Sequence, residues 1–402
     1  MTNGWTKTLL GEVVTLQRGF DLPERLRLPG KVPIVSSSGI TGYHSDFKVH
    51  GPGVVTGRYG TLGEVFYLEN DFWPLNTTLW VKDFKGNDPR FISYLLATLH
   101  LGHHNAAGAV PGLNRNALHL LPVTIPPPLI QKKIASLLCA YEDLMENITR
   151  RIKILEETAQ MIYREWFVNF RFPGHESVKM IDSELGPIPD GWRVTTIDDV
   201  TEEIIDYRGK TPHKLGGEWA ERGIVALSAL NVKQGRLENL DKAKLVSEDL
   251  YHRWMKSELK AGDILLTSEA PLGQAYFLPE SRRYCLSQRL FSIRAIQKLI
   301  KPVLLYFALS SNEGQKQIHA RASGATVLGI RQSELRHVPL VQPEYGIQEI
   351  ADAKLLPFLN LIDVMQRKTE NLRLTRDLLL SKLMSGEIDL QHFSFETVAQ
   401  IA

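Results

Sequence analysis

Two stretches of this 402-residue chain carry residue types that handle phosphate, and spacing tests each of them. Arg208-Gly209-Lys210-Thr211 contains the Gly-Lys-Thr that closes a nucleotide-binding loop, whose backbone N–H groups and lysine would cradle phosphates. The upstream position that must be glycine is Ile204, so the pattern fails. Gly57, Gly60 and Gly63 in GRYGTLG fall between apolar runs rather than before a helix, which removes the helix N-terminus a phosphate would need. Pro126-Pro127-Pro128 lacks the preceding Asn or Asp with which an amino-methyltransferase holds its target amine. His103-His104 has no spaced third ligand, and Cys139 and Cys285 sit in different halves with no zinc spacing. No metal site and no catalysis by this chain itself are expected.

A second class of residues suits binding. Ser36, Ser37, Ser38, Tyr43, His44 and Lys48 cluster in the first third, followed by Arg58-Tyr59 and by Asn76-Thr77-Thr78. Later come Tyr207, Arg208, Lys210 and Thr211, then Ser228 and Asn231, Ser268-Glu269, Ser287-Gln288-Arg289, and Arg331 in GIRQSEL. Hydroxyls, amides and carboxylates of this kind read base edges, and Arg and Lys grip phosphates. Each alone is an ordinary turn residue. As a set they are polar, Gly-rich loops hung from two copies of one framework.

That framework is visible as repeated phrases. TLGEVFYL at 61–68 returns as PLGQAYFL at 271–278, each a strand, a glycine turn and a returning strand. Trp5 matches Trp192, and KVPIVSSSGI at 31–40 matches RGIVALSALN at 222–231. AAGAVPGLNRNALHLLPV, with Gly108, matches ASGATVLGIRQSELRHVPL, with Gly324. IQKKIASLL matches IQEIADAKLL. Corresponding points lie 187 residues apart at the start and 216 apart at the end, so the second copy is expected to carry extra loop residues. A period this long is a duplicated domain rather than a solenoid repeat.

Each copy ends in a helical pattern. Ile134, Tyr141, Ile148, Leu155 and Ile162 recur every seventh residue, with Leu137 and Leu144 on the adjoining seam. Phe358, Met365, Leu372 and Leu379 repeat the spacing, with Leu355, Ile362 and Leu383 beside them, until Gly386. Pro357 predicts a kink or a late first turn. Polar partners such as Glu142, Lys153, Arg367 and Arg373 flank the stripes. Neither helix buries its stripe alone, so the two are expected to pack on each other, with orientation left open. A helix of about 40 residues reaches roughly 60 Å, a ruler.

The expected fold class is α+β: two tandem globular α/β domains, at 1–128 and 188–345, each followed by a long helix, at 129–170 and 346–388. A linker spans 171–187 and a tail 389–402. No run of apolar residues long enough to cross a membrane is present, and the N-terminus MTNGWTKTLL has no signal-peptide core, so a cytoplasmic protein is expected. A net charge of +2 is weakly basic for a nucleic-acid binder.

Two dissimilar domains with TSEAPLG, DYRGKTP, SQRL, GIRQSEL and IPPPLIQKKIASLL resemble the specificity subunits of type I restriction-modification systems, from about Trp5 to Leu390. The resemblance implies that each domain is a target-recognition domain for one half of a split, asymmetric sequence in double-stranded DNA. It implies an antiparallel coiled coil that fixes the spacer and docks two methyltransferase subunits. S-adenosylmethionine, ATP and Mg would then be cofactors of those subunits and of separate restriction (translocase) subunits, with none in this chain. A specificity module of another DNA modification or defence system, or a coiled-coil scaffold without DNA affinity, are the alternatives.

Overall fold

A computed structural model describes residues 4–104 and 112–390; Gly108 and the tail beyond Leu390 lie outside the described residues. The chain divides into two compact units, residues 1–147 with 370–402 and residues 148–369. The boundary differs from one drawn between domain and helix: each unit holds one globular domain and a part of both long helices.

In the first unit, Thr6–Leu9 pairs antiparallel with Pro122–Ile125 and ties the domain's two ends together. A four-stranded antiparallel sheet runs in the order Thr15–Arg18, Thr78–Asp83, Gly53–Gly57, Val65–Leu68. A smaller sheet sets Val32–Ser36 between Gly39–His44 and the parallel Trp73–Pro74. The helix Pro89–Thr98 starts where the Asp88 carboxylate accepts from the Phe91 N–H at 2.9 Å. It buries Phe91, Ile92 and Leu96 against Leu10, Leu16 and Leu79.

The second unit repeats these three sheets and adds two short pairs, Met180–Ile181 with Ile188–Pro189 and Val232–Lys233 with Arg236–Leu237. Arg193–Thr196 pairs with Pro339–Gln342. The four-stranded sheet is Thr201–Asp206, Leu290–Ala295, Ile264–Thr267, Ala275–Phe277, and the smaller sheet again holds a parallel pair, Ile224–Leu227 with Cys285–Leu286. The pairing Ile34↔Trp73 in one copy and Ala226↔Cys285 in the other makes Ser36 the counterpart of Ser228, one residue off the match of phrases read from sequence. The extra residues of the second copy are not all loop. They include the helix Glu248–Trp254, whose Tyr251 and Trp254 are fully buried, with the Trp254 indole donating to the Leu286 carbonyl at 3.1 Å.

The first long helix runs Pro128–Tyr163 and closes in one wider turn over Arg164–Val168; the second runs Tyr345–Met384. Both are slightly shorter at the C-terminal end than expected. Pro357 lies inside the second helix without ending it. Gly386, at φ +74°, stops it: the Glu387 N–H donates to the Lys382 carbonyl and the Gly386 N–H to that of Leu383.

In the first unit Ile134 and Leu138 share a core with Leu379 and Leu383, and Glu142 meets Arg376 at 3.4 Å. Residue numbers rise along one helix as they fall along the other, so the pair is antiparallel. In the second unit Glu156 and Ala159 face Leu359 and Ile362 across one cleft. The seam needs correction in detail. Ile134 and Ile148 are buried and Tyr141, Leu155 and Ile162 half-buried, but their companions are Leu138, Ile152 and Ala159, four residues on, rather than Leu137 and Leu144. Phe358, Met365, Leu372 and Leu379 are only half-buried, flanking the deeper Leu355, Leu359, Ile362 and Leu383. Of the flanking polar residues, Glu142 pairs across the helices, whereas Lys153 pairs with Glu157 and Arg373 with Glu370 and Asp377 on their own helices.

Candidate nucleic-acid interface

The repeated hairpin positions the loops in both units by the same backbone bonds. The Gly63 N–H donates to the Gly57 carbonyl at 3.2 Å and the Gly273 N–H to the Thr267 carbonyl at 3.0 Å, with φ of +77° and +83°. A Cβ on Gly63 would stand 2.5 Å from the Gly102 nitrogen, and one on Gly273 2.3 Å from Gln315 Oε1. Conformation and space both demand glycine.

Just upstream, three segments converge. Arg58 and Tyr59 both donate their N–H groups to the Thr77 carbonyl, and the Arg58 carbonyl accepts from Leu113. In the second unit Ser268 donates to the Arg289 carbonyl and accepts from Ile330. Ser268, Glu269, Gln288, Arg289 and Arg331 therefore line one concave site together with Arg208. Six residues expected from sequence thus meet in one place. The Arg208 guanidinium is clamped by both Asp206 oxygens at 2.8 and 2.7 Å and lies 4.1 Å over the Phe291 ring. Arg289 Nε sits 3.1 Å from Glu269 Oε1. Ser268 is 1% exposed, and its hydroxyl has no hydrogen-bond partner among the described residues. A loop tied by reciprocal bonds between Ser323 and Gly329 forms the rim and exposes Val327 and Leu328. From sequence that loop was read only as a repeated phrase with Gly324, not as part of the recognition set.

Other expected residues of this unit are engaged inside the domain. The Tyr207 hydroxyl accepts from the Ser257 N–H at 2.8 Å. Lys210 donates to the Trp254 carbonyl at 2.6 Å and lies 3.9 Å over the Tyr207 ring; burial and then Lys256 lower its pKa. The Thr211 hydroxyl accepts from the Lys214 N–H. Asn231 is buried, bonded to the Ser228 N–H and the Glu238 carbonyl.

In the first unit the Ser36, Ser37 and Ser38 turn leans on the 57–60 loop. Ser36 Oγ lies 3.0 Å from Ser38 Oγ, and a Cβ on Gly60 would come 3.3 Å from Ser37 Oγ. The Arg58 guanidinium stacks 4.3 Å over the Tyr59 ring. Asn76 donates to the Asp21 carboxylate, and the buried Thr77 hydroxyl has no partner among the described residues. Tyr43 pairs with Pro33, three residues along the strand from Ser36 and so about 10 Å from that turn. It is exposed, and Lys48 stands 4.9 Å over the Trp73 ring. Neither joins the converging segments.

The Gly-Lys-Thr stretch forms a turn, the Lys210 N–H donating to the Tyr207 carbonyl, not a phosphate loop before a long helix. Among the described residues no cluster of His, Cys, Asp and Glu has metal-binding geometry. Cys139 and Cys285 are free thiols, that of Cys285 pushed up to about 12 by burial. No helix of the described residues is long and apolar enough to cross a membrane.

The two units thus share one framework and present unlike polar loops on it. The model of the type I restriction modification DNA specificity domain matches residues 2–157 and 189–374, and the chain belongs to that family. The MjaVIII specificity subunit of Methanocaldococcus jannaschii is 23% identical over 76% of this chain and 71% of its own length. The HindI specificity subunit of Haemophilus influenzae is 21% identical, covering 81% and 84%. Among solved structures, the type I S subunit from M. genitalium shares the fold, with a TM-score of 0.67 over 95% of this chain and 97% of that one at 14% identity.

Proposed function

We propose that this chain, a DNA target-recognition subunit of a type I restriction-modification system, reads a split asymmetric duplex sequence with one half-site per globular domain. The duplication carries the reading. Domains of one strand order offer Arg58, Tyr59 and Thr77 at one set of loops and Ser268, Glu269 and Arg289 at the corresponding set. Equal frameworks with unlike donors and acceptors suit two unlike sequences. The paired helices then hold the unread spacer. Their outward apolar residues, among them Ile154, Met161, Val364 and Leu378, suit docking of two methyltransferase subunits.

Chemistry belongs to those partners and to restriction subunits, where S-adenosylmethionine, ATP and Mg²⁺ are expected; this chain alone neither methylates nor cleaves. It works in the cytoplasm. The experiment is exchange of residues 1–128 for the equivalent domain of a relative, followed by methylome sequencing in cells with the methyltransferase. One half of the methylated motif should change while the other stays. A change in both halves would refute two independent readers.

A further inference from the structure

Arg289 has φ +63°, a left-handed conformation that disfavours any residue with a Cβ. Its neighbours impose it: the Arg289 carbonyl accepts from the Ser268 N–H at 2.9 Å, and the preceding Gln288 carbonyl from the Ala229 N–H at 3.1 Å. The result is a guanidinium on the concave site already described, beside Glu269 and above the buried, unpartnered Ser268 hydroxyl. Both charged side chains are half-exposed, 51% and 39%. Arg289 meets Glu269 through Nε, which leaves its two terminal nitrogens as a planar fork, and Glu269 keeps its second oxygen as an acceptor.

A donor fork next to an acceptor is complementary to one particular base pair. In the major groove guanine shows two acceptors, N7 and O6, and its partner cytosine shows an amino donor beside them. We infer that Glu269 and Arg289 together read one C·G base pair, Arg289 bidentate on guanine and Glu269 accepting from cytosine. This rests on the reading of the chain as a DNA-recognition subunit. The other arginines of the site are placed differently: Arg208 is held by both oxygens of Asp206, and Arg331 stands exposed at the rim. The device belongs to the second domain alone, since Tyr59 and Thr77 occupy the corresponding places in the first.

The test is selection from a randomised duplex DNA pool by the full chain with its methyltransferase subunits, for wild type, Arg289→Ala, Arg289→Lys and Glu269→Gln. Wild type should select a motif with a C·G pair in the half-site that does not follow an exchange of residues 1–128. Arg289→Ala should lose roughly tenfold to a hundredfold discrimination at that one pair. Arg289→Lys should not restore it, because a lysine keeps the charge but not the fork. Glu269→Gln should relax the same position and no other. An unchanged motif, relaxation in the other half-site, or rescue by lysine with all sequences weakened alike would overturn the base-pair assignment while leaving the recognition function standing. A wild-type complex that selects no sequence would overturn the function itself, and this inference with it.

Discussion

The two units attach a recognition domain to the long helices by different chemistry. In the first, an apolar core predominates: Leu10, Leu79 and Leu96 of the domain pack with Ile134 and Leu138 of the first helix and Leu383 of the second, beside the buried Gln131, which accepts from the Asp88 N–H at 2.9 Å and donates to Asn87 at 2.7 Å. In the second, the hairpin reaches the helix through a hydroxyl. Tyr276 donates to Asp363 at 2.9 Å, and Asp363, 4% exposed, also accepts from Arg282 and forms an ion pair with Arg367, whose Nε lies 3.1 Å away. The corresponding residue of the first hairpin, Phe66, pairs with Val55 as Tyr276 pairs with Leu265 and has no hydroxyl to offer a helix. Apolar packing is governed by volume and tolerates small shifts. A buried carboxylate with several donors is directional, and fails as a set when one member is removed.

The largest effect should therefore come from Asp363. Its replacement by Ala leaves Arg282 and the Tyr276 hydroxyl buried without their acceptor, at a cost of about 3–5 kcal/mol. Hydrogen exchange of strands 264–267 and 290–295 under increasing urea would measure it. Replacing the cluster together, as Tyr276→Phe, Arg282→Met and Asp363→Leu, should recover most of the loss, because no charge is then left unpaired. A triple variant as unstable as the single one would mean that packing, not ion pairing, holds this domain to its helix.

Leu138 sharpens the other side. It is fully buried, so Leu138→Ala should cost about 3 kcal/mol, whereas Leu138→Met, which conserves volume, should cost less than about 1.5 kcal/mol. Exchange protection in strands 53–57 and 78–83 is the readout. If methionine costs as much as alanine, the first attachment is not governed by volume.

What the sequence disclosed follows the same division. The duplication, the hairpin and its glycines were legible because backbone geometry allows so few residues at Gly63 and Gly273. The heptad of the first helix was legible in period but not in depth: companions three or four residues on both satisfy the repeat, and only the facing helix selects Leu138 over Leu137. Asp363 was not legible as a hub, since its partners Tyr276 and Arg282 lie more than eighty residues away along the chain and nothing in their spacing links them to it. For the site, Ser268, Glu269 and Arg289 were legible only as polar loop residues and their convergence was not, while Tyr207, Lys210 and Asn231 turned inward to satisfy backbone groups that loops bury. Composition cannot separate a donor facing solvent from one already bonded.

The smallest effect tests whether compensation, rather than mere presence of charge, marks the second attachment. Asp352 lies half-buried on the same helix as Asp363, but desolvation outweighs the pull of Lys301 and raises its pKa. A carboxyl whose folded pKa is raised opposes folding once it is ionised: the penalty is absent below the unfolded pKa and fully present above the folded one. Asp352→Asn should then stabilise the chain at neutral pH by on the order of 0.5 kcal/mol, opposite in sign to any loss at Asp363. The gain should shrink as pH falls through the folded pKa of Asp352 and vanish below the unfolded value. Urea midpoints of wild type and Asp352→Asn across that acid range would measure it. A destabilised variant at neutral pH would show that the Lys301 attraction prevails, and that Asp352 and Asp363 alike act as compensated anchors.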